Sequence, residues 1–449
     1  MPHFLTNVRK PSRLAVAAGV ALLLTAAGTG IQPSGAKAFC ATLTCGPAGT
    51  YTPVTPTRLL DGRATPQVRL GPAGPTDVKV TDVAGVPATG VSAVVLNLTV
   101  DLPTAASFFT ISPTGTATTT SSLNFAAGET RAAATTVKVG TGGMVTITNA
   151  FGQAFPIVDI QGYFTNALVA PAGSSYVPLG APSRVVDTRS GPTPTKFAAD
   201  ETRDISLTAP PIAGATPVPA GATAVVANFT VTNTTADGFL TAFPKAIPVN
   251  RPLVSNLNWA AGRSIPNLAT IPLSADGKIT VYNSAGATDV LIDVAGYYVP
   301  EANPTVGDRF TPVAPVRIGD SRSAIGGLVT FTTANQTQNL KVAGVGGVPA
   351  DASAVVVSIT SDNVTAETFF TAYPKGGAAV PNVSNLNPIA GEQAANLAIV
   401  RVGTDGEITL LSRTPTANVV VDIFGYFEGD PAAVTARIGI SFDPSLALG

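Results

Sequence analysis

Along residues 223–231, Thr-Ala-Val-Val-Ala-Asn-Phe-Thr-Val, two residue sets interleave: Val225, Ala227, Phe229 and Val231 on one face, Ala224, Val226, Asn228 and Thr230 on the other. A period of two places such a run in a β-strand. Matching runs occupy 93–100 and 354–360, and shorter ones 107–112, 238–243 and 368–373, each followed by Pro. Asp276-Gly277 and Asp405-Gly406 sit between strand-like runs and predict hairpins. No segment carries a convincing helical stripe. Many short strands separated by turn signals predict an all-β chain built of antiparallel β-sandwiches, immunoglobulin-like or jelly-roll, with a closed barrel as the alternative.

The pattern occurs three times. An opening phrase reads Arg58, Asp61, Arg63 after Tyr51; Arg184, Asp187, Arg189 after Tyr176; and Arg317, Asp320, Arg322 after Phe310. A closing phrase reads Asp159-Ile-Gln-Gly162-Tyr163-Phe164, Asp293-Val-Ala-Gly296-Tyr297-Tyr298 and Asp422-Ile-Phe-Gly425-Tyr426-Phe427. Internal repetition marks an array of similar packing units. The units are 51–164, 176–298 and 310–427, each long enough for its own core. The linkers are short, so neighbouring units are expected to touch. A linear array is the simpler arrangement, and a pseudo-threefold ring is the alternative.

Residues 1–38 read as an export signal: Arg9, Lys10 and Arg13, then an apolar run over 14–27, then Ala36-Lys37-Ala38. The run is too short to span a bilayer, and the mature chain is expected to have no membrane span. Residues 39–50 carry Cys40 and Cys45, which in an exported protein read as a disulfide-closed loop. Residues 428–449 read as a tail in which 434–442 could add a strand.

The one histidine, His3, lies within the signal. Ser-His-Asp and Cys-His catalysis and histidine-ligated metals are thereby excluded from the mature chain. Only carboxylate or Ser/Lys chemistry remains for an enzyme, and no catalytic residue, metal or cofactor is assigned. The four cations of the signal removed, 22 Lys and Arg face 27 Asp and Glu. That balance excludes the basic stripe of a nucleic-acid partner.

Asp293 lies among Val290, Leu291, Ile292 and Val294, where an unpaired carboxylate would be costly. The expected remedy is a structural ion pair with the opening phrase: Arg184 or Arg189 onto Asp293, Arg58 or Arg63 onto Asp159, Arg317 or Arg322 onto Asp422. The rival role for these carboxylates is calcium binding or a catalytic pair. Trp259, in Ser255-Asn-Leu-Asn-Trp259, is the candidate glycan contact. Against that, the position holds Phe125 and Pro388 in the other units, which favours core and turn. Tyr163, Tyr297 and Tyr426 are expected to pack their rings and bond a backbone acceptor.

The Arg-x-x-Asp-x-Arg opening, Ser255-Asn-Leu-Asn-Trp259, the Asn-Leu-Ala of 267–269 and Asp293-Val-Ala-Gly-Tyr-Tyr298 resemble a tandem β-repeat of exported actinobacterial proteins. The third unit departs from it with Pro388 and Ser358. The resemblance implies a cell-envelope or extracellular setting and brings no catalytic residues. The function expected is that of an exported, non-enzymatic modular protein acting in adhesion, envelope association or assembly. Its partners would be cell-wall glycan or other envelope proteins. A carbohydrate-binding array is the alternative, and a carboxylate-dependent hydrolase a more distant one.

Overall fold

The computed structural model describes residues 48–72, 74–166, 173–190, 195–246, 250–300, 307–377 and 379–429. The segment read as an export signal, the expected Cys40–Cys45 loop and residues 430–449 lie outside them. Glu428 and Gly429 are the end of the last strand.

The described residues form an all-β structure of antiparallel strands. The first unit contributes β1 (Tyr51–Asp61), β2 (Thr76–Lys79), β3 (Val91–Asp101), β4 (Ser107–Pro113), β5 (Leu123–Phe125), β6 (Arg131–Lys138), β7 (Met144–Asn149) and β8 (Phe155–Thr165). The second contributes β9 (Ser174–Asp187), β10 (Thr202–Ser206), β11 (Ala224–Thr232), β12 (Gly238–Pro244), β13 (Leu257–Trp259), β14 (Ile265–Pro272), β15 (Lys278–Asn283) and β16 (Asp289–Pro300). The third contributes β17 (Asp308–Asp320), β18 (Gln336–Lys341), β19 (Ala354–Asp362), β20 (Phe370–Pro374), β21 (Ala395–Arg401), β22 (Glu407–Ser412) and β23 (Asn418–Gly429).

Each unit is two sheets. In the first, β1-β8-β3-β6 faces β2-β7-β4-β5; the second repeats this as β9-β16-β11-β14 and β10-β15-β12-β13. The third has β17-β23-β19-β21 over β18-β22-β20, and a lone Phe370–Leu386 bridge stands where the other units carry β5 and β13. Pro388 follows that bridge and has no N–H to extend a ladder.

The period of two is explained by two cores. In β11, Val225, Ala227, Phe229 and Val231 join the core between the sheets of their own unit. Ala224 and Val226 join a separate core shared by all three units. A strand buried on both faces accounts for the dense apolar composition. The Asp-Gly pairs do not form hairpins. Asp276-Gly277 joins β14 of the inner sheet to β15 of the outer one, and Asp405-Gly406 likewise joins β21 to β22. The positive φ that Gly277 supplies, 69°, serves a corner between sheets.

The units close on one another cyclically, so the linear arrangement is corrected. Tyr51 pairs with Ser174, Tyr176 with Asp308, and Gly49 with Phe310. At the centre the opening aromatic of each unit packs on the closing aromatic of another. Tyr51 lies 4.5 Å from Tyr298, Tyr176 4.5 Å from Phe427, and Phe310 4.3 Å from Phe164. Three near-equal pairings related in one rotational sense make the arrangement pseudo-threefold. The glycine of the closing phrase permits it: a Cβ on Gly162, Gly296 or Gly425 would lie 2.3–2.4 Å from Tyr51, Tyr176 or Phe310 of the same unit.

Candidate functional site

The repeated Arg and Asp residues form three copies of one ladder. Register places Arg58 beside Asp159, Arg184 beside Asp293, and Arg317 beside Asp422. In the second unit Arg184 forks onto Asp293, Nε to Oδ1 at 2.7 Å and Nη2 to Oδ2 at 3.0 Å, while its Nη1 donates to Asp187 at 3.4 Å. Arg189 forks onto Asp187 at 2.9 and 2.7 Å. The first unit repeats this with Arg58 on Asp159 and Asp61, and Arg63 on Asp61. The third repeats it with Arg317 on Asp422 and Asp320, and Arg322 on Asp320. Thus the first arginine of each phrase reaches the last strand, and the second braces the carboxylate between them.

Burial pushes the carboxyls of Asp159, Asp293 and Asp422 up, against the pull of their arginines. The middle carboxylates go the other way. Hydrogen bonds from Arg63 hold Asp61 low, and those from Arg322 hold Asp320 low. With every carboxylate of the ladder facing a guanidinium, these groups act as structural braces and not as a free acid–base pair.

The ladders face the junctions between units. Next to each buried Asp in register stands Asn97, Asn228 or Ser358. Asn97 donates to the Ser255 carbonyl at 2.6 Å and accepts from Asn267 at 2.9 Å. Asn228 donates to the Ser384 carbonyl at 2.7 Å and accepts from Asn396 at 2.9 Å. Two junctions are therefore bridged by paired amides. At the third, between the third unit and the first, the equivalent positions hold Ser358 and Ala133. Both partners are small there, and neither leaves a lone amide. The sequence shows Ser358 in place of Asn228, but not that the Asn97 and Asn228 side chains bond across units. An amide within a strand otherwise rich in Val and Ala was the available signal.

A second feature joins all three units. Glu129, Arg263 and Glu392 occupy equivalent turns, Ala126-Ala-Gly-Glu129, Ala260-Ala-Gly-Arg263 and Ile389-Ala-Gly-Glu392. Arg131, 2 % exposed, is ion-paired with Glu129 at 3.2 Å and with Glu392, which also accepts from Arg263 at 2.6 Å. Equivalent residues of three units meet only near the pseudo-threefold axis. Burial works against the charge of Glu392, but Arg131 and Arg263 hold its carboxyl below the usual range.

Trp259 is corrected as a glycan contact. It is 4 % exposed in the second unit's core, and its Nε1 donates to the Ala236 carbonyl at 3.0 Å. No indole face is left for a sugar. Tyr163, Tyr297 and Tyr426 pack on the cores of their own units. Contact between units belongs to the aromatic one residue later, on the opposite face. Asp200, Glu201 and Asp204 are tied to Tyr282, Arg203 and Thr280.

Two grooves open at junctions, each flanked by a ladder. One, of about 280 Å³, lies between Arg184 and Arg189 of the second unit and Phe369, Ser384 and Asn387 of the third. The other, of about 210 Å³, lies between Arg317 and Arg322 of the third unit and Phe108, Ser121 and Asn124 of the first. They are equivalent by position and are the candidate sites.

No known protein family and no curated protein matches the chain. Among solved structures, a triple jelly-roll protein of the turret assembly in an archaeal virus is 10% identical, with a TM-score of 0.17 over 85% of this chain and 89% of that one. The CBM22-1–CBM22-2 tandem domain of Paenibacillus barcinonensis Xyn10C is 10% identical, with a TM-score of 0.17 over 56% and 99%. A chain from Sulfolobus turreted icosahedral virus is 11% identical, with a TM-score of 0.15 over 84% and 91%. Overlaps this slight carry no argument about function.

Proposed function

We propose that each unit is a jelly roll, and that the chain is an exported, non-enzymatic protein acting through its surface in adhesion, envelope association or assembly. Strand order supports the first part. In the first two units eight strands split 1-8-3-6 and 2-7-4-5, and the third keeps the same order with seven strands and a lone bridge in place of the fifth. That order fits a double-sheet jelly roll, whereas the immunoglobulin grouping of ABED on CFG does not.

One observation carries the second part. The residues written three times are engaged with one another: arginine with aspartate, opening aromatic with closing aromatic. Repetition here serves architecture, and variation is left to the grooves and loops. A hydrolase would want an acid and a base unencumbered and converging on one cleft, whereas these carboxylates are held by guanidinium forks. The test is sedimentation of the full chain with purified actinobacterial cell walls, together with an assay for released sugar. Retention without release is expected; absence of retention, or steady sugar release, would refute the proposal.

A further inference from the structure

The groove between the third and first units contains two polar atoms with nothing to bond. Asn124 Oδ1 and Thr360 Oγ1 are buried and without a hydrogen-bond partner. Asn124 is 5 % exposed and Thr360 7 %, and both line the groove. They come from opposite walls, β5 of the first unit and β19 of the third. A buried polar group left unmade costs about 1–3 kcal/mol, so two at one cleft point to a partner that arrives from outside.

The rest of the lining says what kind. Arg322 is held by Asp320 and by Asp362, the latter at 3.0 Å, and Arg317 by Asp422. The cations are therefore engaged, which disfavours an anion. What remains is neutral: Ser121, Thr119, the two unpaired atoms and the half-buried ring of Phe108. An aromatic face beside neutral donors and acceptors suits a polyhydroxylated ring. The volume, about 210 Å³, falls below the roughly 300–1,000 Å³ of drug-sized sites. It suits one ring of a longer chain.

We propose that this groove binds one sugar residue of a neutral glycan. The sugar stacks on Phe108, one of its hydroxyls donates to Asn124 Oδ1, and another bonds Thr360 Oγ1. The other junctions do not offer the same pair of open atoms. In the wider groove between the second and third units Thr230 accepts from Asn228 at 3.3 Å, and the Arg413 guanidinium lies 5.9 Å from the Phe369 ring centroid. Between the first and second units Thr99 Oγ1 is likewise unpaired, but Asn258 Oδ1, the counterpart of Asn124 Oδ1, accepts from Ser255 at 2.9 Å.

The inference rests on the surface-binding reading and is tested so that the two fail separately. Chitotetraose and cellotetraose are titrated calorimetrically into the full chain, wild type and Thr360→Val, and both proteins are sedimented with purified cell walls. Expected is one site per chain for at least one of the two oligosaccharides. Thr360→Val should weaken it tenfold or more while the melting temperature holds or rises, because the variant removes an unpaired hydroxyl without changing shape. Undiminished binding by Thr360→Val, a lowered melting temperature in that variant, or no binding of either oligosaccharide by the wild type would each overturn the groove assignment. If Thr360→Val binds the soluble sugars as the wild type does and both proteins sediment with walls, the groove falls and the surface reading stands. If the wild type binds the soluble sugars yet ignores walls, the groove stands and the wall-binding reading falls.

Discussion

Arg131 of the first unit and Glu392 of the third are ion-paired across the one junction that no peptide linker crosses. The same junction lacks the amide bridge found at the other two. Charge there does what hydrogen-bonded asparagines do elsewhere, and it does so almost out of contact with water.

Glu392→Gln keeps the shape and still accepts from the Ile389 N–H, now bonded at 2.9 Å. It leaves Arg131 and Arg263 short of their shared counter-charge. Breaking a buried pair on one side typically costs about 3–5 kcal/mol, and a loss in that range is expected in urea unfolding of the whole chain. An unchanged midpoint would mean that the cluster does not hold the third junction closed.

The amide bridges predict a compensated pair. Asn97→Ser alone takes the acceptor from one N–H of Asn267, which keeps its bonds to the Asn256 carbonyl and the Ala134 N–H. Asn267→Ala alone takes the donor from Asn97 Oδ1, which keeps its residue's bond to Ser255, and leaves the Ala134 N–H unpaired. Each is expected to cost about 1–3 kcal/mol. Together they recreate the Ser358 and Ala133 combination already present at the third junction. The double variant should therefore lose less than the sum of the singles, by about 0.5 kcal/mol or more. Strict additivity in the double-mutant cycle would count against direct coupling.

Gly296→Ala drives a methyl group to within 2.6 Å of the Tyr176 ring and hydroxyl, which are themselves packed against Phe427. Overpacking of this kind costs typically 1–3 kcal/mol. A lowered melting temperature is expected, and Tyr176→Leu in the same chain should recover part of it. No recovery would place the strain elsewhere.

Arg184→Met leaves the Asp293 carboxyl buried beside an apolar chain. Burial already raises that carboxyl's pKa above its ordinary value, and loss of the arginine removes the main opposing influence. A raised folded-state pKa means that the contribution is full below the ordinary value of 3.8 and is lost as pH rises through the folded value. The variant's deficit should thus be large at neutral pH and shrink on acidification. A deficit independent of pH between 4 and 8, roughly the span in which a raised carboxyl titrates, would mean Asp293 is not the group left stranded. The whole chain is the proper subject, since a lone unit would expose its half of the shared aromatic core.

Much of this architecture is legible in the residues, but only as far as each residue speaks locally. Alternation in 223–231 shows a strand with two buried faces; it does not say that the second face meets another unit. Tyr51 and Phe164 are visible as the ends of a repeated phrase, yet their partners, Tyr298 and Phe310, lie in other repeats. Which arginine meets Asp293 depends on a register shift between Ile292 and Asp293 that no pattern announces. Asp276-Gly277 signals turn chemistry faithfully but not whether the chain stays in one sheet or crosses to the other. Trp259 alone suits a core or a sugar; its counterparts Phe125 and Pro388 already favour the core, where the structure places it.

The turns at Glu129, Arg263 and Glu392 bear on how such a chain can evolve. Three identical subunits would bring three copies of one charge together at their axis. Joined in a single polypeptide, the positions are free to diverge, and here they hold two acids and one base, balanced by Arg131. Serial order thereby becomes information. A protein assembled from the second unit three times over would crowd three arginines into that spot and would not be expected to close.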